Sequence, residues 1–149
     1  YMDLFACLQS CSLQLRTRVP CHGEPKTCPM PEVPSNGGLA CVTLSNTRYC
    51  KPMCNHGYDF GFPRMTRLYE DCSDGTWSTM YIGGNKLAVC NKTPFAFVGG
   101  STAYFPEAQD CSTTLANSQL KTKILDDFIA ELRKHGKDGE AQHTCLVCG

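Results

Sequence analysis

The sequence predicts a small, disulfide-rich α+β fold: a central all-β unit with N-terminal and C-terminal helical flanks packed together. Three observations predict it. Twelve cysteines occur in 149 residues, the density of secreted disulfide scaffolds rather than of cytosolic chains. The stretch from Pro20 to Lys92 is cut by Gly, Pro and Asn turn signals into short β-prone runs. Leu120, Ile124, Leu125, Phe128, Ile129 and Leu132 recur at the spacing of one helical face.

The N-terminal segment, residues 1–20, reads as a short helix. Asp3 is its N-cap candidate, no Gly or Pro interrupts Asp3 to Leu15, and Leu4, Leu8, Cys11 and Leu15 keep helical spacing. Cys7 and Cys11 then lie on one face, one turn apart. Tyr1 stands first, with no initiator Met and no apolar leader. That is the expectation for a chain whose signal peptide is removed, or for a segment inside a longer precursor.

The middle segment, residues 21–92, carries β-prone runs at Leu39 to Leu44, Thr66 to Tyr69 and Lys86 to Val89. Turn signals fall at Ser35-Asn36-Gly37-Gly38, Ser45-Asn46, Asn55-His56-Gly57, Asp74-Gly75 and Gly83-Gly84-Asn85. Large apolar residues are too few for an independent core, so cross-links must restrict the unfolded ensemble instead. Cys41 and Cys50 have the separation of a local hairpin bridge. Trp77, the only tryptophan, follows a Gly turn between two cysteines, where an aromatic ring covers disulfide sulfur.

The C-terminal segment, residues 93–149, opens on a loop and continues into the amphipathic helix, predicted over about 117–135 and capped by Asn117 or Ser118. Arg133, Lys134 and His135 suit the negative end of its dipole, and Gly136 supplies the left-handed stop. Its apolar face needs a partner. The N-terminal helix, with Leu4, Phe5 and Leu8, is the nearest candidate. A disulfide-fastened tail follows.

Within the middle segment, Cys28-Pro29-Met30-Pro31, Pro34-Ser35-Asn36-Gly37, Cys54-Asn55-His56-Gly57-Tyr58, Tyr69-Glu70-Asp71-Cys72, Asp74-Gly75-Thr76-Trp77 and Cys90 occur in this order. In order and residue type, residues 28–90 resemble the sushi domain, or complement control protein (CCP) module. The resemblance implies pairing of Cys28 with Cys72 and of Cys54 with Cys90, and a small core filled by Trp77 and Tyr58. It also implies a role in protein recognition or adhesion. The chain departs from the family pattern in Ala88-Val89-Cys90, which lacks a Pro two residues before the cysteine, in the long interval from Trp77 to Cys90, and in Cys41 and Cys50. A closed middle module predicts no bridge between its six cysteines and the six outside it. Among the latter, the expected wiring joins Cys7 and Cys11 to Cys145 and Cys148 and leaves Cys21 to Cys111.

Function classes narrow by exclusion. Fourteen basic and fourteen acidic residues balance, and no basic run tracks a phosphate backbone, so no nucleic-acid partner is expected. No stretch reaches the roughly 18 apolar residues of a membrane span. No Gly-x-Ser-x-Gly, His-Glu-x-x-His, phosphate loop or Ser-His-Asp order occurs, so neither an enzyme nor a cofactor is expected. Cys145-Leu146-Val147-Cys148 has dithiol spacing without a thioredoxin-like setting, and reads as two structural half-cystines. His143 with Cys145 and Cys148 has metal-ligand chemistry, but zinc requires reduced thiolates, so no metal is expected.

Two surface features remain. Tyr58 to Met65 holds Phe60, Phe62 and Arg64, the composition of an interface hot spot if exposed and of core if buried against Trp77 or the helical segment. Asn91-Lys92-Thr93 is an acceptor for N-linked glycan. The expectation is a secreted, extracellular protein-binding module, a glycoprotein whose partner is another extracellular protein or itself. The alternatives are a structural component of a matrix, egg coat or adhesive layer, and a secreted signalling ligand or inhibitor.

Overall fold

The computed structural model describes residue 21 and residues 23–61, 68–78, 86–92 and 103–149. The helix expected over residues 1–20, with Cys7 and Cys11, lies outside these, as do Phe62 and Arg64. Strands β1 (Gly37–Leu44) and β2 (Thr47–Cys54) form a hairpin in which Leu44 faces Thr47 and Gly37 faces Cys54. Ser45 and Asn46 connect them with φ of 47° and 62°. Positive φ at both central residues is the type I′ turn, whose twist matches that of the flanking strands.

Strand β3 (Tyr58–Phe60) pairs antiparallel with β5 (Cys90–Lys92) in a separate two-stranded sheet. Strand β4 (Glu70–Cys72) lies on the free edge of β2, and β6 (Gln142–Cys148) lies on the free edge of β1. The larger sheet is therefore ordered β4-β2-β1-β6 and is antiparallel throughout. The tail expected to be merely fastened is a strand of this sheet. The run Lys86 to Val89 is not a strand: Lys86 makes one isolated bridge to Glu32, and regular pairing begins at Cys90.

Helices α1 (Cys111–Ala116) and α2 (Ser118–Lys134) follow a short 3₁₀ turn at Pro106–Ala108. The Asp110 side chain caps α1 by accepting from the Thr113 amide, which holds its carboxyl below the usual aspartate range. Asn117 caps α2 by accepting from the Gln119 and Leu120 amides, both at 3.1 Å. At the other end Gly136, at φ 78°, donates to the Arg133 carbonyl, and Lys137 donates to that of Leu132. These are the two bonds of a Schellman stop, and the first of those residues needs a left-handed φ that glycine adopts without a Cβ penalty. Asn117→Ala is expected to cost about 1 kcal/mol of stability with the fold retained, measured by urea denaturation.

Every residue of β1 is buried, because the sheet is covered on both faces. On one face Ala40, Val42 and Leu44 join Tyr49, Met53, Leu146 and the α2 residues Leu125, Phe128 and Leu132 in the main core. On the other face Leu39 and Cys41 join Cys21, Cys50, Cys72, Leu87 and Trp77. Helix α2 thus finds an apolar partner in the sheet, while the expected packing of the two helical flanks on each other involves residues 1–20, which lie outside the described residues. A sheet face offers a broader apolar surface to a 17-residue helix than a single short helix does. Trp77 and Tyr58 do not share a core: Tyr58 packs on a third cluster around Cys54, Phe60, Ala88, Cys90 and Ala103.

Five disulfides are present among the described residues: Cys21–Cys145, Cys28–Cys72, Cys41–Cys50, Cys54–Cys90 and Cys111–Cys148. The middle three coincide with the expected pairings. Two expectations are corrected. Cys145 and Cys148 do not receive Cys7 and Cys11, and Cys21 does not reach Cys111. The reason is strand alternation. Residues three apart on β6 point to opposite faces, so Cys145 meets Cys21 under the Trp77 layer while Cys148 meets Cys111 at the start of α1. No bridge joins the two expected sets of six among the described residues.

Candidate functional site

Alternation along β2 puts Arg48, Cys50 and Pro52 on the face away from α2, opposite Thr43, Cys41 and Leu39 of β1. Over this face run Cys21 and the irregular segment 23–31, tied down at Cys21 to β6 and at Cys28 to β4. Between segment and sheet lies a cleft of about 470 Å³, lined by Lys26, Pro29, Met30 and Pro31 on its outer wall and by Arg48, Trp77 and His143 below. Cys21, Gly23, Glu24 and Cys28 complete it. The Trp77 indole donates to the Pro29 carbonyl at 3.0 Å, which fixes that wall. Met30, 37% exposed, is one of two large apolar side chains left open among the described residues.

Arg48 organises the floor. Arg48 is 4% exposed, and its guanidinium donates to Thr43 Oγ1 at 3.1 Å, to the His143 carbonyl at 2.6 Å and to the Cys21 carbonyl at 3.3 Å. Thr43 in turn donates to the Glu24 carbonyl at 2.7 Å. An irregularity in the pairing of β1 with β6, between Cys41 and Thr43, coincides with φ of 52° at His143, whose carbonyl Arg48 reaches. Burial lowers the Arg48 pKa to about 10, which still leaves the side chain charged at neutral pH. A Cβ at Gly23 would overlap the Arg48 guanidinium, so a side chain there would displace it from its present place.

The same guanidinium lies against sulfur, with Nη2 3.4 Å from Cys145 Sγ and 3.5 Å from Cys21 Sγ. One row of Cα partners across the sheet reads Glu70, Cys50, Cys41, Cys145, from β4 to β6. Cys41 therefore has a half-cystine directly opposite on each side. It is bonded to Cys50 at a Cα separation of 4.1 Å, close to the narrow pair spacing of antiparallel strands. The Sγ atoms of Cys21, Cys41 and Cys145 lie within 4.8 Å of one another. All three are oxidised, and disulfide sulfur lacks the thiolate charge that binds zinc.

The residues singled out from sequence fall elsewhere. Phe60 is 7% exposed and packs on Tyr104 at a centroid separation of 6.2 Å. As an interface residue it is corrected to core, because inward alternation on β3 points it at the Cys54–Cys90 disulfide cluster. Asn91, the acceptor expected from sequence, is exposed on β5. Arg48 was not singled out from sequence. Its signal was its place in Thr47 to Cys54, two residues before Cys50 and so on the same strand face. A second, smaller concavity of about 240 Å³ lies on the helix side, between Met53, Phe105, Pro106 and Ile124, with Lys51, Lys123 and Asp127 at its edges.

Comparison with family models, with curated proteins and with solved structures finds no match to this chain.

Proposed function

We propose that the protein is a secreted recognition module without catalytic activity, which binds another extracellular protein through the cleft roofed by residues 23–31. The observation that carries this reading is the fastening of that irregular segment at two points, Cys21 to β6 and Cys28 to β4. A wall so held loses little conformational entropy on docking, which favours affinity. Its exposed Met30 beside Lys26 offers an apolar contact next to a charge that selects acidic neighbours. The sushi-like order of residues 28–90, the disulfides and the exposed Asn91 acceptor are each compatible with secretion. Among the described residues no helix is long and apolar enough to cross a membrane.

The test is saturable binding of fluorescently labelled protein, secreted from eukaryotic cells, to intact cells and extracellular matrix. Met30→Glu with Lys26→Glu is expected to weaken that binding at least ~tenfold, the loss of one hot-spot contact, while the disulfide map stays unchanged. Removal of N-linked glycan from the same material is expected to lower its mass at Asn91. Variant binding equal to the wild type would remove the cleft from the interface. Balanced charge, fourteen against fourteen, favours a second reading as an assembly component. Concentration-dependent self-association in sedimentation, without binding to other proteins, would select it.

A further inference from the structure

We propose that Cys21–Cys145 is an exchange site for low-molecular-weight thiols, and that the Cys145 thiolate it releases passes the exchange across the sheet to Cys41–Cys50. This goes beyond the recognition role and does not depend on it. Cys21 lines the cleft, which is large enough at about 470 Å³ to admit a small thiol. In the first step the incoming thiolate attacks Cys21 Sγ, a mixed disulfide forms at Cys21, and the Cys21–Cys145 bond breaks. The electron pair leaves on Cys145. The Arg48 guanidinium, 3.4 Å from that sulfur, stabilises the departing thiolate, and a leaving thiol of lowered pKa departs faster.

In the second step Cys145 attacks Cys41, which is its direct cross-strand partner and whose sulfur lies within 4.8 Å. A Cys41–Cys145 bond forms and the Cys41–Cys50 bond breaks. Cys50 leaves as a thiolate and takes a proton from solvent. One thiol enters and one thiol appears, so the count of disulfides is conserved. Because Cys41 is in register with both Cys50 and Cys145, the staple moves from β1–β2 to β1–β6 without a change in strand pairing. Among the described residues, the charged and titratable groups around the row are Arg48 of β2, Glu24 and Lys26 of the cleft wall, His143 of β6 and, beyond Cys50, Glu70 of β4.

Reduced glutathione is the probe: the native full chain is exposed to it, quenched in acid, alkylated and mapped by mass spectrometry. The expected early product carries glutathione at Cys21, the alkyl label at Cys50 and a Cys41–Cys145 bridge. First opening at any other disulfide overturns the exchange site. Label at Cys145 with Cys41–Cys50 intact overturns the relay. Arg48→Gln is expected to slow the first opening about tenfold. Should that variant not fold, the Cys41→Ala, Cys50→Ala protein retains Arg48 and lacks the relay acceptor. In it, alkylation of the released Cys145 is expected to show a pH midpoint below the roughly 8.5 of a free cysteine. A midpoint at or above that value overturns the role of Arg48.

Discussion

Phe128→Ala is expected to lower the unfolding free energy by about 3 to 5 kcal/mol, the range for truncating a buried phenylalanine. Phe128 is 1% exposed, sits at the middle of the α2 apolar face and stacks obliquely on Tyr69 at 6.2 Å. The void would be bounded by β1, β2 and α2 at once. Strands cross-linked by disulfides cannot close in on it, so the upper part of that range is expected. In a domain of this size the loss lowers Tm by about 10 °C, measurable by calorimetry with disulfides intact. Lys134→Ala, in the exposed last turn of the same helix, serves as the control within about 0.5 kcal/mol. A loss below about 1 kcal/mol for Phe128→Ala would mean that α2 does not pack on the sheet.

Removing Cys111–Cys148 by serine at both positions is expected to cost about 4 kcal/mol, because the bridge closes a 37-residue separation. The entropic part acts on the unfolded chain. The native consequence is local. Strand β6 has one neighbour, β1, and only Leu146 of its seven residues is buried, so little apolar contact holds it in place. Amide exchange in Cys145 to Cys148 is expected to accelerate in the variant by more than in β2, which is paired on both sides. Equal acceleration in both strands would mean that the sheet opens as one unit. The bridge crosses β1 at Gly38, where a Cβ would stand 2.5 Å from Cys111 Sγ. The absence of a side chain there is what lets α1 sit this close to the sheet.

Local signals in the sequence located several elements within a residue or two. The apolar period from Leu120 to Leu132, with Asn117 before it and Gly136 after it, marks α2, which spans Ser118–Lys134. Ser45-Asn46 marks the hairpin turn, and Leu39 to Leu44 marks most of β1. These depend on contacts between near neighbours, so a linear reading reaches them. Strand β6 escaped it. Gln142 to Cys148 has a cysteine at each of two positions three apart, which reads equally as a fastened tail, and an edge strand needs little apolar content to pair. Arg48 escaped because its strand position shows only which face it takes, and the carbonyls that hold its charge, those of Cys21 and His143, lie 27 and 95 residues away.

Composition and local pattern were thus sufficient to determine a disulfide-rich α+β chain with one capped amphipathic helix and a β hairpin, because cysteine density, turn residues and helical period act over a few residues. The partner of that helix, the faces to which Cys145 and Cys148 point, the burial of Phe60 and the convergence of Arg48 with a row of half-cystines were decided only by the tertiary structure. Each depends on which strand face turns toward which layer. A shift of one residue in register reverses that for every side chain on the strand, and register here joins residues as distant in sequence as Gly38 and Cys148.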